Sequence, residues 1–150
     1  MEEKDIDFCT KIVTELLGEP EDVTRETLIE YYEDEQEGSL MLVADSGEKS
    51  VGFAGILIEG WNLTGNIEWM GILEDYRKMK IGSKLLAELI QYAKRKKVRK
   101  IYVDTAVDNI IAISFYIKNE FLPEAVLKEY YMNEKDALKL AHKLGVSDKL

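Results

Sequence analysis

The chain is poor in the residues that staple a fold or hold a metal. It has one cysteine, Cys9, and one histidine, His142, so a single chain can assemble neither a disulfide framework nor a Cys/His metal cluster. Cys9 falls on the apolar stripe of an expected helix and reads as a small core residue. His142 has no partner pattern around it and is assigned no role. No apolar run approaches the ~20 residues of a membrane-spanning helix, and the N-terminus lacks the pattern of a secretion signal. There are no repeats, low-complexity tracts or linkers. These absences lead us to expect a soluble, cytoplasmic protein with no metal and no membrane association.

Positive charge is also short. Twenty Lys and Arg stand against 29 Asp and Glu, for a net charge of -9. That balance argues against non-specific nucleic-acid binding, which needs a cationic surface to displace phosphate counterions. It leans toward cationic or amine-bearing substrates, although an acidic surface mainly keeps a protein soluble. The chain has 150 residues, 46% of them hydrophobic, which is enough for one domain with one core.

Apolar residues recur at helical spacing over residues 5–17, ended by Gly18 and Pro20. A second helix is expected from Thr24, read as its N-cap, to Gly38. Its acidic end, Glu33, Asp34, Glu35 and Glu37, could attract a cation, but such runs are usually solvated. Residues 39–45 and 50–59 read as a hairpin around Asp45-Ser46-Gly47; the second strand is apolar on both faces and should be central. Residues 61–66 read as a turn and 67–73 as a strand. A long amphipathic helix follows to about residue 97, then a basic stretch, a strand over 101–106 and a helix over 109–118 closed by Phe121 and Pro123. Residues 126–132 are strand-like, and 136–142 fit helix and strand equally. Helices first, then strands alternating with helices, predict a mixed α/β or α+β fold.

The stretch around which the chain is organised runs from the strand at Ile67 through a basic turn into the long helix. Unpaired N–H groups at a helix start, joined here by Arg77, Lys78 and Lys80, suit an anion such as a pyrophosphate. The dipole alone contributes only about 0.3–1 kcal/mol, so several convergent donors are required.

Two motifs together are more specific than that turn. Tyr76-Arg77-Lys78-Met79-Lys80-Ile81-Gly82-Ser83-Lys84 resembles the acetyl-CoA loop of the GCN5-related N-acetyltransferase (GNAT) superfamily, whose pattern is Arg or Gln, two residues, Gly, one residue, Gly or Ala. About thirty residues on, Asn109, Ala112, Tyr116 and the ending Lys118-Asn119-Glu120-Phe121 resemble that family's later helix. Lys80 and Glu120 stand where the family usually has glycine. Glu120 leaves Asn119, which tolerates a left-handed conformation, as the expected helix end. Tyr130-Tyr131, followed five residues on by Asp136-Ala137, is similar to the end of the ribosomal-protein and N-terminal α-amino acetyltransferases, and by that likeness 136–142 is a strand.

The resemblance implies a GNAT-type α/β sheet, mixed and mostly antiparallel, of about six or seven strands flanked by about four helices. It also implies acetyl-CoA as co-substrate. Met70-Gly71-Ile72 would bond the pantetheine arm and polarise the thioester, and residues 77–83, from Arg77 through Lys78, Met79, Lys80, Ile81 and Gly82 to Ser83, would take the pyrophosphate. Asn109 would bond the coenzyme arm or cap its own helix. Tyr116 would protonate the departing thiolate. Asp104 or Glu68 would be the base, with a structural ion pair as the alternative for each. Tyr130 and Tyr131 would sit beside the acceptor, or form a packing pair.

The activity implied is acetyl transfer to a primary amine, foremost a protein or peptide N-terminus. A small amine such as a polyamine or amino acid is the alternative acceptor, and a non-catalytic acyl-CoA-binding module the alternative class. A homodimer is allowed for.

Overall fold

The computed structural model describes residues 1–33 and 38–145. Asp34, Glu35 and Glu37, from the acidic run, lie outside them. Four α-helices and six strands are present: α1 (Ile6–Ile12), α2 (Glu21–Glu33), β1 (Ser39–Ser46), β2 (Lys49–Glu59), β3 (Thr64–Ile72), α3 (Ile81–Arg95), β4 (Lys100–Ala106), α4 (Ile110–Lys118), β5 (Leu122–Leu127) and β6 (Ala137–Lys143). The chain forms two compact units, one of residues 1–57 and 68–92, the other of 58–67 and 93–150.

In the first unit the strand order is β1-β2-β3. β1 and β2 pair antiparallel, with a register shift at Ala44/Asp45 beside the turn. β2 is buried without interruption from Val51 to Ile56, as expected of a strand covered on both faces. Ile6, Cys9, Ile12 and Val13 pack with Leu28, Met41, Phe53 and Trp69 into one cluster. The Trp69 indole is met edge-on by Tyr31 at 5.2 Å. α1 continues as a π-helical turn, Val13–Leu17, which Gly18 ends in the left-handed conformation. Burial of Leu85, Leu86 and Leu89 follows the apolar stripe of α3.

In the second unit the order is β3-β4-β6-β5. β3 pairs parallel with β4 from Thr64↔Lys100 to Ile67↔Val103, while β4–β6 and β5–β6 are antiparallel. Val98, Ile101, Val103, Phe121, Leu140 and Leu144 are buried here.

Four expectations are corrected. Thr24 is no N-cap: α2 begins at Glu21, directly after Pro20, whose fixed φ suits a helix start, and Thr24 is buried one turn in. The turn read over 61–66 is shorter, because Thr64, Gly65 and Asn66 find partners on β4. The strand read over 126–132 lies earlier, as β5, with Pro123 inside it next to a register shift. The left-handed residue after α4 is Glu120, at φ 67°, rather than Asn119; Asn119 instead turns its side-chain amide back to donate to the Phe115 carbonyl at 2.8 Å.

Candidate functional site

The residues singled out by sequence fall into one group in each unit. In the first unit, β3 leads through a short 3-10 turn, Glu74–Tyr76, into α3. Its Gly71 is buried, and a Cβ there would collide with Cγ2 of Ile12, so this glycine lets α1 lie against β3. The Arg77 guanidinium folds back, donating from Nε to the Ile72 carbonyl at 3.1 Å, and so braces the base of the loop. Lys78 and Lys80 both adopt left-handed backbone, at φ 63° and 62°; Lys80 therefore takes up the glycine conformation with an L-residue. The first helical bond is Lys84 N–H to the Lys80 carbonyl, at 3.0 Å. The N–H groups of Ile81, Gly82 and Ser83 precede it and point out of the helix end. Lys78, Met79, Lys80 and Ser83 are exposed. Backbone donors flanked by lysines in this way form a cradle whose chemistry suits an anion.

Glu68 is exposed on β3 between buried Ile67 and Trp69. Its charge is felt by Tyr31, whose hydroxyl is pushed above the usual range by burial first and by Glu68 second. A concavity between α1 and α2, lined among others by Thr10, Lys11, Thr14 and Arg25, contains none of the predicted residues.

In the second unit the cross-strand register sets Asp104 of β4 opposite Lys139 of β6. The Lys139 ammonium straddles the carboxylate, 3.1 Å from Oδ1 and 3.2 Å from Oδ2. The approach to Oδ1 is a charge contact without hydrogen-bond alignment. Oδ2 also accepts from the Tyr130 hydroxyl at 3.3 Å. Tyr130 and Tyr131 meet edge-to-face, centroids 5.1 Å apart. Burial, then the charge of Asp104, then Tyr130, push the Tyr131 hydroxyl up to about 12.

The loop carrying this pair is fastened at both sides. Asp136 accepts from the Glu129 N–H at 3.0 Å and pairs with Lys128; Lys128 and that N–H hold its carboxyl below the usual range. Lys135 pairs with Asp108 at 2.6 Å.

Asn109 caps α4, its Oδ1 accepting from the Ala112 N–H at 3.1 Å. Tyr116 is buried, its ring meeting Phe115 and Phe121 edge-on at 5.2 and 5.4 Å. Burial alone raises its phenol well above the usual range, so it is a proton holder at any ordinary pH. Sequence reasoning missed Lys139. Only the register of β4 on β6 reveals it, and no local pattern encodes that register.

A family model described as the acetyltransferase (GNAT) family matches residues 7–121. The chain belongs to this family. Among GNAT proteins it is 34% identical to N-alpha-acetyltransferase 30 of Schizosaccharomyces pombe over 80 residues, covering 53% of each chain. It is 35% identical to streptothricin acetyltransferase A of Bacillus subtilis, over 54% of this chain and 47% of that one. It is 30% identical to an N-alpha-acetyltransferase of Sulfolobus acidocaldarius, over 69% of this chain and 68% of that one. The chain thus spans about half the length of the first two relatives. A solved structure of the NatC complex bound to Gag peptide and CoA contains a chain that is 25% identical, with a TM-score of 0.81, over 96% of this GNAT chain and 93% of that one. The mostly antiparallel six-stranded sheet with four helices is the family's fold.

Among the described residues no group of three His, Cys, Asp or Glu is disposed to hold a metal, and no helix is long and apolar enough to cross a membrane.

Proposed function

We propose that this single GNAT domain is an acetyl-CoA-dependent N-acetyltransferase acting on the α-amine of a protein or peptide. The observation that carries the reading is the cradle at the start of α3, where left-handed Lys80 opens the helix end as a glycine would. Residues 77–83 would hold the pyrophosphate and the backbone of Met70-Gly71-Ile72 the pantetheine arm. Acetyl-CoA supplies the activated acyl group. The chain's part is to orient the amine, accept its proton and protonate the leaving thiolate.

Tyr116 is assigned the last task from its place in the Asn109-to-Phe121 motif; burial keeps its phenol protonated but makes it a weaker acid, so it acts by hydrogen-bonding the departing sulfur as negative charge builds there. Asp104, engaged by Lys139 and Tyr130, is assigned to fixing the paired tyrosines beside the acceptor. Proton acceptance is assigned to exposed Glu68. A modest base is enough for an α-amine of pKa near 8, about one-tenth neutral at pH 7. A lysine of pKa near 10.4 is neutral about once in 2,500, a penalty of about 4.6 kcal/mol. Two of the three curated relatives above are named for α-amine acetylation. The second is named for streptothricin, which keeps a small amine as the alternative acceptor.

The test is CoA release from acetyl-CoA with short peptides, polyamines and amino acids as acceptors. Turnover with peptides is expected, and Tyr116→Phe should lower kcat by about 10²-fold or more while coenzyme affinity holds. Turnover confined to small amines would overturn the acceptor assignment. Coenzyme binding without any turnover would leave only an acyl-CoA-binding module.

A further inference from the structure

Besides the basic turn before α3, the -9 chain carries a second stretch of the opposite character. Residues 93–100 read Ala-Lys-Arg-Lys-Lys-Val-Arg-Lys, six cations and no acid. Lys94 and Arg95, in the last turn of α3, have a structural reason to be basic, because cations there complement the helix dipole. Lys97 and Arg99 lie beyond the helix and have no such reason. Lys97 turns the chain out of it at φ 59°, and both are exposed.

Arg99 ties this connection to the β2–β3 turn. Its Nε donates to the Asn62 carbonyl at 2.9 Å and its second terminal nitrogen to Asn62 Oδ1 at 2.8 Å. Its backbone N–H donates to the Leu63 carbonyl at 2.8 Å, holding Leu63 in the left-handed conformation at φ 52°. The turn so fixed presents Trp61 at 84% exposure and Leu63 at 44%. An indole this open is unusual on a water-soluble surface.

How the indole is presented narrows what can cover it. Its Nε1–H already donates to Glu59 Oε2 at 3.2 Å, and Glu59 Oε1 is held by the Asn66 amide at 3.3 Å. The ring edge is thus satisfied within the chain, and the flat face is what remains. A protein pocket or a lipid headgroup layer usually takes an indole by that N–H, and seating this one in lipid would carry the Glu59 carboxylate with it. A partner that needs only the face, and brings negative charge to the neighbouring cations, is a nucleic-acid strand with unpaired bases.

We propose that the β2–β3 turn and the α3–β4 connection form a docking surface for a single-stranded polynucleotide, one base stacking on Trp61 and the flanking phosphates meeting Lys94, Lys97 and the free side of Arg99. The acidic remainder of the molecule opposes this only weakly at physiological salt, where charges more than about 8 Å away are screened. The surface lies wholly within the second unit and does not depend on the acetyl-transfer reading.

The experiment uses the full chain with end-labelled oligo(U) and oligo(dT) of about ten nucleotides, followed by anisotropy at about 50 mM salt and above. Quenching of intrinsic fluorescence is recorded alongside; Trp69, only 6% exposed, should be silent. Binding of either oligonucleotide is expected, with quenching and a steep loss of affinity as salt rises. Trp61→Ala should weaken it about tenfold, Trp61→Tyr should retain most of it, and Lys94→Glu with Lys97→Glu should weaken it and flatten the salt dependence. Thermal melting confirms that each variant is folded. Absence of binding at low salt, or equal affinity in folded Trp61→Ala, overturns the proposal. So does binding of polyglutamate or phosphatidylserine vesicles in preference to either oligonucleotide, since the partner would then be an acidic protein segment or an anionic membrane.

Discussion

Glu120 occupies a backbone conformation that costs an L-residue about 1–2 kcal/mol and glycine almost nothing. It persists because Phe121, fully buried behind it, must leave α4 by the shortest path: the Phe121 N–H returns to the Tyr116 carbonyl at 3.0 Å, and the Glu120 carbonyl is met by His142 Nδ1 at 3.1 Å. Glu120→Gly should therefore stabilise the fold by about 0.5–1 kcal/mol in thermal or denaturant melts; a destabilised variant would mean the left-handed turn is wrong. Lys80 stands in the same relation to α3, but there the lysine head is assigned to the proposed pyrophosphate site. Lys80→Gly should stabilise the chain while weakening coenzyme affinity. That these two positions depart from glycine was legible in the sequence. Which residue takes up the left-handed turn was not, because Asn119 is the better candidate by intrinsic preference and loses only through the path of Phe121.

At the scale of elements, long periodic segments were legible and boundaries set by non-local pairing were not. The stripe of α3 and the two-faced apolarity of β2 are local signals, and both elements lie where expected. Thr64-Gly65-Asn66 has turn composition, yet it is strand because Lys100, Ile101 and Tyr102, far along the chain, offer a parallel edge. The Asp104–Lys139 pair was hidden for the same reason. Gly71 shows the converse: the family resemblance gives it to the coenzyme, whereas the packing shows a second demand, the close passage of Ile12 from α1. Gly71→Ala should cost about 1–3 kcal/mol by overpacking. Combined with Ile12→Ala, which empties part of the core by itself, the pair should cost less than the sum of the two single changes, since neighbouring sites couple. Strict additivity of the two changes in denaturant titrations would show that α1 does not press on β3 at this glycine.

For the whole molecule, average charge proved a coarse guide, since -9 conceals the basic connection after α3. Burial of its titratable hydroxyls and its thiol makes a sharper statement. Cys9, fully buried, is pushed up to about 12 by desolvation first and by Asp5 second. Tyr131 also rises to about 12, and Tyr31 and Tyr116 are raised. In the unfolded chain the thiol ionises near pH 8.5 and the phenols near pH 10. Between those values and about 12 the unfolded chain has released protons that the folded one keeps. It therefore binds fewer, and the slope of unfolding free energy with pH is negative. The stabilisation is complete below about pH 8.5 and drains away as pH rises through 10 toward 12. Denaturant midpoints should fall over that window, the earliest part of the fall disappearing in Cys9→Ala and the later part becoming shallower in Tyr131→Phe. Midpoints unchanged up to about pH 11 would mean that these groups ionise in the native state as freely as in water, and would refute the buried placement of Cys9 and Tyr116 on which both cores rest.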